Sequence, residues 1–341
     1  YASSAPGSRL EAVVSAIEAA AARGVAVRFL AEKKFQSIYP QTLARLEARA
    51  GIEVRIFDGA ALLGGVHHAK YFLVDRDQAF LGSQNFDWRA LAHIQELGVR
   101  LRGRELARPL QAVFEADWNA AAAGPAPELT ARTSSPPPGS QPIAIADPSS
   151  GDTLWVHSVI SPQGHLAAGS DWDLPHLIER IDAARRTVQI QLLTYRTVGR
   201  QGDYFGNLES ALRRASARGA RVELLVSEWA LRQGTVEGLQ SLQALPRIEV
   251  RFLRIPPHSS GFIPYARVAH AKYMVVDRRA AWIGTSNWER DYFFASRNVG
   301  LILEGAGLPA ALGDFFRANW ESGHAQPLSP CVSYPPPRIS E

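Results

Sequence analysis

The chain has 341 residues, 46% of them hydrophobic and 21% charged, which is typical of a soluble globular protein with room for two domains. Its single cysteine, Cys331, excludes an intrachain disulfide and a cysteine-based zinc or redox centre. No run approaches the roughly 20 apolar residues of a membrane span, and the net charge of +4 favours polyanionic partners such as nucleic acid or anionic lipid headgroups.

Helices and strands are predicted to alternate along the chain. Residues 9–23 and 207–218 have helical spacing, and each stretch is followed by a glycine, at positions 24 and 219. A third helix is predicted at 174–184. Short, β-branched strands are predicted at 25–30, 53–57, 187–193, 221–226 and 249–253. This alternation predicts an α/β fold in which helices cover the faces of a sheet.

Two long stretches of the chain repeat each other. Residues 67–85 read HHAKYFLVDRDQAFLGSQN, and residues 269–287 read AHAKYMVVDRRAAWIGTSN. Further matches occur upstream, at 52–55 and 248–251, and downstream, at 114–118 and 316–320. The chain is therefore predicted to be a tandem duplication of one α-β-α sandwich unit.

The duplication predicts the domain boundaries. They are 1–122 for the first repeat, 123–150 for a linker and crossover, 151–326 for the second repeat, and 327–341 for a Pro-rich tail. The second repeat begins with a helix and a strand that have no counterpart before Tyr1. We therefore expect the natural protein to have further upstream residues, including a buried strand, and we expect Tyr1 to correspond to Tyr195.

Each repeat contains the pattern H-x-K-x4-D-x6-G-[S/T]-x-N. Its residues are His68, Lys70, Asp75, Gly82, Ser83 and Asn85 in the first copy, and His270, Lys272, Asp277, Gly284, Thr285 and Asn287 in the second. On a strand, residues two apart share a face, so the histidine and lysine of each copy are expected to point the same way. The aspartates have the opposite parity, which predicts a structural role for them.

These residue types suit the cleavage of a phosphodiester. One imidazole can attack phosphorus to form a phosphohistidine, and a second can protonate the leaving alkoxide and then activate water. The two lysines and the two asparagine amides can donate to the non-bridging oxygens. Paired lysines would repel a divalent cation, so we predict neither a metal nor another cofactor.

The expected partners of the histidines differ between the copies. Glu96 lies 28 residues after His68, and Asn298 lies 28 residues after His270. A carboxylate that accepts from one ring nitrogen leaves the other nitrogen free to attack. We therefore predict that Glu96 pairs with His68, that His68 is the nucleophile and that His270 is the general acid, with the reverse assignment left open. Support for the site is expected from Ser83, Thr285 and Asn298.

The doubled motif resembles the phospholipase D superfamily, whose members build one active site between two repeats and react through phosphohistidine. The stretches GSQNFDWR at 82–89, QELGV at 95–99 and IPYARV at 263–268 are similar to the animal lysosomal members three and four. That branch implies 5′-exonuclease action on single-stranded DNA and RNA, and lipid transphosphatidylation has also been attributed to it.

The chain departs from those animal proteins in three ways. It lacks their disulfide cysteines and their glycosylation sequons, and it keeps Asp277 where that branch tends to lose the second aspartate. These departures indicate a bacterial relative, so lysosomal residence is not expected. A secreted or periplasmic location is favoured over a cytoplasmic one.

Three functions follow as hypotheses. The leading one is a single-strand 5′-exonuclease that releases nucleoside 3′-phosphates, and the alternative is a phospholipase D or transphosphatidylase acting on phospholipids. A non-catalytic nucleic-acid-binding protein is the third. Substrate contacts are suggested, against a default of core packing, for Trp88, Trp288, Tyr195 and Tyr265. Because one chain carries both repeats, a monomer suffices, a dimer is compatible, and no obligate protein partner is inferred.

Overall fold

A computed structural model describes residues 1–124, 141–167, 170–199 and 202–340. Most of the predicted linker, residues 125–140, lies outside these ranges. The elements of the first repeat are β1 (Ala2–Ser3), α1 (Arg9–Ala22), β2 (Val27–Glu32), α2 (Lys33–Gln36), α3 (Pro40–Glu47), β3 (Ile52–Phe57), α4 (Gly59–Leu63), β4 (Tyr71–Val74), β5 (Gln78–Gly82), β6 (Phe86–Asp87), β7 (Gly98–Arg102) and α5 (Arg104–Ala123).

The second half of the chain repeats much of this order and adds strands and a helix at its start and a strand at its end. Its elements are β8 (Ile143–Ala146), β9 (Thr153–Ser161), β10 (Asp171–Trp172), α6 (Asp173–Ala183), β11 (Thr187–Leu192), α7 (Asn207–Ala217), β12 (Arg221–Ser227), α8 (Val236–Gln243), β13 (Ile248–Leu253), β14 (Tyr273–Val276), β15 (Ala280–Gly284), α9 (Arg290–Phe294), β16 (Asn298–Glu304), α10 (Gly307–Trp320) and β17 (Ala325–Pro327).

The predicted α/β class and its main elements are confirmed. Helices α1 and α7 occupy the two stretches with helical spacing, and Gly24 and Gly219 follow them with φ of +89° and +97°. Glycine adopts this left-handed conformation without steric cost, which is why it ends these helices. Strands β2, β3, β11, β12 and β13 lie within two residues of their predicted bounds.

Within the described residues, ten strands form one large sheet. Its order is β10-β9-β16-β15-β14-β11-β12-β13-β17, and β8 pairs with β9 outside this path. Strand β11 is central, because it runs parallel to β12 and antiparallel to β14. Val188, Ile190 and Leu192 on one face of β11 belong to the apolar core, whereas Gln189 and Gln191 on the other face are buried and donate hydrogen bonds to Glu223 and Gln95.

Strand β14 shows that the sheet is buried on both faces. Met274 and Val276 pack in a core cluster with residues of α6, α7 and α8, whereas Tyr273 and Val275 pack in a second cluster with residues of α10. Alternate residues of a strand point to opposite faces, so the two clusters are the two sides of one sandwich. The second cluster also contains Leu110 of α5, and the two repeats therefore share a core.

The first repeat has a smaller and divided sheet. Strands β2 and β3 pair in parallel, and β4, β5 and β7 form a separate antiparallel sheet. Among the described residues, no strand joins β2 to β4 as β11 joins β12 to β14. In consequence Phe72 and Val74 are 46% and 43% exposed, whereas the matching Met274 and Val276 are 0% and 4% exposed.

The expected match between Tyr1 and Tyr195 is wrong. Ala2 pairs with Phe86 in parallel, and Tyr195 forms the equivalent bridge to Trp288. Phe86 and Trp288 each follow the final asparagine of the motif and are therefore equivalent. The residue equivalent to Tyr195 is thus Ala2 and not Tyr1.

The boundaries of the domains stay a prediction, and two elements lie close to them. Helix α5 runs to Ala123, and β8 falls inside the predicted crossover, where it pairs with β9 of the large sheet. No helix in the described ranges has the length and apolar character that crossing a membrane requires.

A buried ion pair joins the repeats. The Asp117 carboxylate of α5 accepts from the Arg297 guanidinium at 2.9 Å and lies 3.0 Å from Nε2 of His67. All three side chains have little or no contact with solvent. Burial raises the pKa of Asp117, but the charges and hydrogen bonds of Arg297 and His67 together outweigh burial and hold the pKa below its usual value.

Asp117→Ala is expected to lower the free energy of unfolding by about 3–5 kcal/mol, because Arg297 would stay buried without its counterion. Chemical denaturation followed by circular dichroism measures this. Asp314→Ala is the matched control, since Asp314 forms an exposed ion pair with Arg278, and it should cause a much smaller change. Equal effects of the two variants would contradict a structural role for the buried pair.

Candidate active site

Backbone hydrogen bonds between the repeats hold both motif histidines. The amide of His68 donates to the carbonyl of Arg297 at 2.9 Å, and the amide of His270 donates to the carbonyl of Gln95 at 2.8 Å. In each case the acceptor belongs to the other repeat and lies shortly before a strand of that repeat, β16 or β7. The two histidines therefore sit on equivalent cross-repeat bridges.

This pairing exchanges the expected partners, so the prediction that Glu96 pairs with His68 is wrong. Both carboxylate oxygens of Glu96 lie within hydrogen-bond distance of Nδ1 of His270, Oε2 at 2.9 Å and Oε1 at 3.0 Å. Asn298 instead places its Oδ1 3.0 Å from Nδ1 of His68. The reason is geometric. The carbonyls of Gln95 and Arg297 bind the other repeat, so the next residues, Glu96 and Asn298, lie beside the histidine of the other repeat.

The orientation of the Asn298 amide determines the tautomer of His68. Its Nδ2 donates to the carbonyls of Tyr292 and Ser296, at 2.9 and 3.2 Å, and its Oδ1 accepts from the Thr285 hydroxyl at 3.0 Å. The oxygen therefore faces His68, which must donate from Nδ1. Nε2 of a neutral His68 then keeps its lone pair.

The two imidazoles differ in their electrostatic surroundings. Burial, followed by the charges of Lys70 and Lys272, lowers the pKa of His68 well below its usual value. Burial also lowers the pKa of His270, but Glu96 opposes this effect. Burial raises the pKa of Glu96, but the charge and hydrogen bond of His270 together with Lys272 and Ser83 outweigh burial and lower the pKa, so the carboxylate is ionised at neutral pH. Only His270 has a counterion for a bound proton.

Both motif lysines are buried in the same site. The ammonium of Lys70 donates to the carbonyl of His68, and that of Lys272 donates to the carbonyl of His270. Burial and the charge of Lys272 lower the pKa of Lys70 strongly. Burial lowers the pKa of Lys272 to about 7, against an opposing effect of Glu96. Two buried cations without full compensation mark a site prepared for an anion.

The asparagines of the two copies have different neighbours. Asn287 is buried and donates to the hydroxyl of Tyr292 at 3.0 Å, while Asn85 is half-buried at the matching place. The Tyr292 ring packs edge-on against His68, with centroids 4.9 Å apart. The sequence shows Tyr292 as one of the aromatics that follow the second motif, but not that its ring would contact His68.

The hydroxyls of Ser83 and Thr285 support the strands that carry the histidine partners. The Ser83 hydroxyl accepts from the Leu97 amide at 3.0 Å, and the Thr285 hydroxyl accepts from the Val299 amide at 3.2 Å. Leu97 and Val299 directly follow Glu96 and Asn298.

Asp277 lies at a turn, away from the histidine partners, and accepts from the amides of Arg185, Arg186 and Thr187 at 2.7–2.8 Å. It thus ties the β14–β15 turn to the start of β11. Asp75 occupies the equivalent turn and is exposed. Both aspartates have positive φ, 54° and 51°, as tight hairpin turns require.

Two of the suggested substrate contacts are wrong. Tyr195 and Trp288 are 1% and 0% exposed and belong to the core, so neither ring offers a face to a ligand. Tyr265 is 48% exposed, and Trp88 is half-buried with its ring 5.5 Å from that of His93. Substrate contacts by Tyr265 and Trp88 stay predictions.

His68→Asn is expected to reduce the loss of stability at acid pH. Above the ordinary value of 6.5, His68 is neutral in both the folded and the unfolded chain. Below 6.5 the unfolded chain binds a proton that the folded chain rejects, which costs up to about 1.4 kcal/mol per pH unit. Denaturation at a series of pH values measures the slope.

His324→Asn is the control for this slope, because His324 is exposed. If the wild type, His68→Asn and His324→Asn all lose stability with the same pH dependence, His68 binds its proton as readily in the folded protein as in the unfolded one.

Comparison with known proteins gives the family. The family described as "Cardiolipin synthase, PLD-like domain" matches residues 7–118 and 177–320. The "5'-3' exonuclease PLD3" of Homo sapiens is 32% identical over 336 residues, which cover 93% of this chain and 68% of that protein. "Phospholipase D Z" of Dictyostelium discoideum is 27% identical over 93% of this chain and 76% of that protein.

A solved structure shows the same fold at low identity. Phosphatidylserine synthase from Haemophilus influenzae superposes with a TM-score of 0.57 and 12% identity, covering 94% of this chain and 86% of that one. The family match spans both repeats, and the exonuclease relatives match nearly the whole chain. The chain therefore belongs to the phospholipase D superfamily, as the doubled motif predicted.

Proposed function

We propose that the protein is a metal-independent phosphodiesterase that removes nucleotides from the 5′ end of single-stranded DNA or RNA through a phosphohistidine intermediate. The observation that carries this proposal is the unequal pair of imidazoles: His68 faces an amide oxygen, and His270 faces a carboxylate. The two groups are thereby suited to two different proton-transfer roles.

His68 is the nucleophile. Its Nδ1–H is held by Asn298, and its lowered pKa keeps Nε2 unprotonated. Nε2 attacks phosphorus and displaces the 5′ oxygen of the second nucleotide. The P–O5′ bond breaks as the N–P bond forms, so the first nucleoside stays attached to His68 through its 3′-phosphate.

His270 is the general acid and then the general base. The ionised Glu96 stabilises a proton on His270, which passes to the departing 5′ oxygen. The neutral His270 next takes a proton from water, and the resulting hydroxide attacks phosphorus. The N–P bond breaks, a nucleoside 3′-phosphate leaves, and both histidines return to their starting states.

The lysines and asparagines supply the charge stabilisation that the reaction needs. A bound phosphodiester raises the pKa of both Lys70 and Lys272, because an opposite charge favours the ammonium form. Asn85 and Asn287 add amide donors to the non-bridging oxygens. In this proposal the four side chains do the work that a metal ion does in other phosphodiesterases, and no divalent ion takes part.

Nucleic acid is favoured as the substrate by the relatives and by charge. Proteins named 5'-3' exonuclease match 93% of the chain at 32% identity, and the net charge is +4. Tyr265 presents an exposed ring five residues before His270, where a base can stack. The Arg89 guanidinium lies 6.0 Å from that ring.

Phospholipid cleavage or transphosphatidylation is the second candidate. It is supported by the 27% identity to a protein named phospholipase D Z and by the exposed rings of Phe262 and Phe294, which could touch a lipid surface. The chemistry at phosphorus would be the same, and only the leaving alcohol would differ.

The purified protein should shorten a 3′-labelled single-stranded oligonucleotide from its 5′ end in the presence of excess chelator, and gel electrophoresis measures the products. His68→Ala and His270→Ala are each expected to reduce the rate at least about 10³-fold, because each removes a reacting group. His324→Ala is the matched control, with an expected rate equal to that of the wild type.

Three outcomes would redirect the proposal. Products that retain the 5′ terminus would show that the protein shortens its substrate from the 3′ end. Choline release from phosphatidylcholine vesicles without any oligonucleotide cleavage would favour the lipid candidate. Oligonucleotide binding without turnover in the wild type would favour the non-catalytic hypothesis.

Glu96→Gln and Asn298→Asp are expected to narrow the pH profile of turnover from opposite sides. Removing the charge of Glu96 lowers the pKa of His270, so the basic limb moves to lower pH. A carboxylate at 298 raises the pKa of His68, so the acid limb moves to higher pH. Each shift should be about one pH unit, read from turnover rates across the pH range.

The reverse assignment predicts the opposite pattern. If His270 attacks and His68 donates the proton, Glu96→Gln moves the acid limb down and Asn298→Asp moves the basic limb up, so the profile widens. Acid-quenched reactions with labelled substrate, followed by peptide mapping, give an independent answer from the position of the phosphohistidine.

A further inference from the structure

A second group of potential ligands lies outside the active site. His157 on β9, Asp171 on β10 and His176 on α6 place one ligand atom each within 4.8 Å of one another. Nε2 of His157 is 2.8 Å from Oδ2 of Asp171, and Nε2 of His176 is 3.7 Å from the same oxygen. Among the described residues, this is the one such group of three.

The group is separate from the catalytic residues. In the pairing of β9 with β16, His157 lies opposite Ile302, whereas Asn298 lies opposite Ser161. Four residues of extended strand place His157 roughly 13 Å along the sheet from the Asn298 end. The proposed phosphodiesterase mechanism uses none of the three side chains.

The geometry is close to that of a metal site. Two imidazoles and one carboxylate form a common ligand set for zinc, whose bonds of about 2.0–2.2 Å place tetrahedral ligands about 3.3 Å apart. Shifts of a few tenths of an ångström bring His157 and His176 to that spacing around Oδ2 of Asp171. A second carboxylate, on Glu179, lies 3.9 Å from Nδ1 of His176.

Burial also suits a metal. The side chain of His157 is 7% exposed, and the rings of His157 and His176 are 4.7 Å apart and nearly perpendicular.

We propose that His157, Asp171 and His176 bind one divalent ion of the zinc type, with water in the remaining position. The ion is structural. It joins β9 to the first turn of α6 and to β10, whose backbone pairing with β9 involves Asp171 and Trp172. The proposal does not depend on the phosphodiesterase activity.

The site also has a connection to the catalytic histidine. Trp172, next to Asp171, donates its indole N–H to the carbonyl of Phe293 at 3.1 Å. Ser161 of β9 donates to the carbonyl of Tyr292 at 2.8 Å, and the Tyr292 ring packs on His68. Joining β9 and β10 through the ion therefore steadies α9, which carries that ring.

Zinc binding to chelator-treated, dialysed protein tests the proposal. Isothermal titration calorimetry with zinc chloride should show one tightly bound ion in the wild type, and excess zinc should raise the melting temperature by about 5 °C. His176→Gln and Asp171→Asn should weaken binding at least about tenfold and abolish the temperature shift. His324→Gln is the control and should behave as the wild type.

A double variant tests whether zinc binds instead at the two active-site imidazoles. In His68→Asn/His270→Asn the tight ion should remain, and adding His176→Gln should remove it. An ion that disappears in the double variant but survives in His176→Gln and Asp171→Asn overturns the proposal, as does the absence of tight binding to the wild type. His176 lies on a partly exposed helix face, so its variant is expected to fold even if a variant of the buried His157 does not.

Discussion

The exchange of backbone hydrogen bonds between the repeats determines the chemistry of the site. His68 donates to Arg297, and His270 donates to Gln95, so each imidazole meets the side chain that follows its acceptor in the other copy. One copy offers a carboxylate there and the other an amide. A duplicated protein would otherwise have two equivalent histidines. This difference makes them unequal, and the proposed division into nucleophile and acid rests on it.

The same interface keeps charged groups away from water. Lys70 and Lys272 are buried beside the histidines, and burial lowers the pKa of both ammonium groups. The compensation lies nearby, in the shared core beneath β14 and in the Asp117–Arg297 pair that joins the repeats. A rigid interface holds these groups close together before an anion arrives, so little reorganisation is needed when it binds.

Local patterns predicted the elements and the motif, because helical spacing, β-branched runs and repeated spacing are properties of neighbouring residues. Such patterns do not predict contacts across the interface, because those contacts join residues that are far apart in the sequence. The equal offsets of Glu96 and Asn298 did not reveal that the strands exchange partners. Residue type alone could not show that Tyr195 and Trp288 face the core. The cluster of His157, Asp171 and His176 forms only when β10 pairs with β9, and its spacing matches no motif.

A second difference between the copies complements the first. The residue five positions after the motif asparagine is Tyr292 in one repeat and Ala90 in the other. Tyr292 packs on His68, the imidazole that lacks a carboxylate partner, whereas His270 is held by both oxygens of Glu96. An aromatic contact fixes a ring without adding charge, so it leaves the pKa of His68 low. A carboxylate fixes the ring and also stabilises its proton. Each histidine is thus oriented by the kind of contact that suits its proposed role.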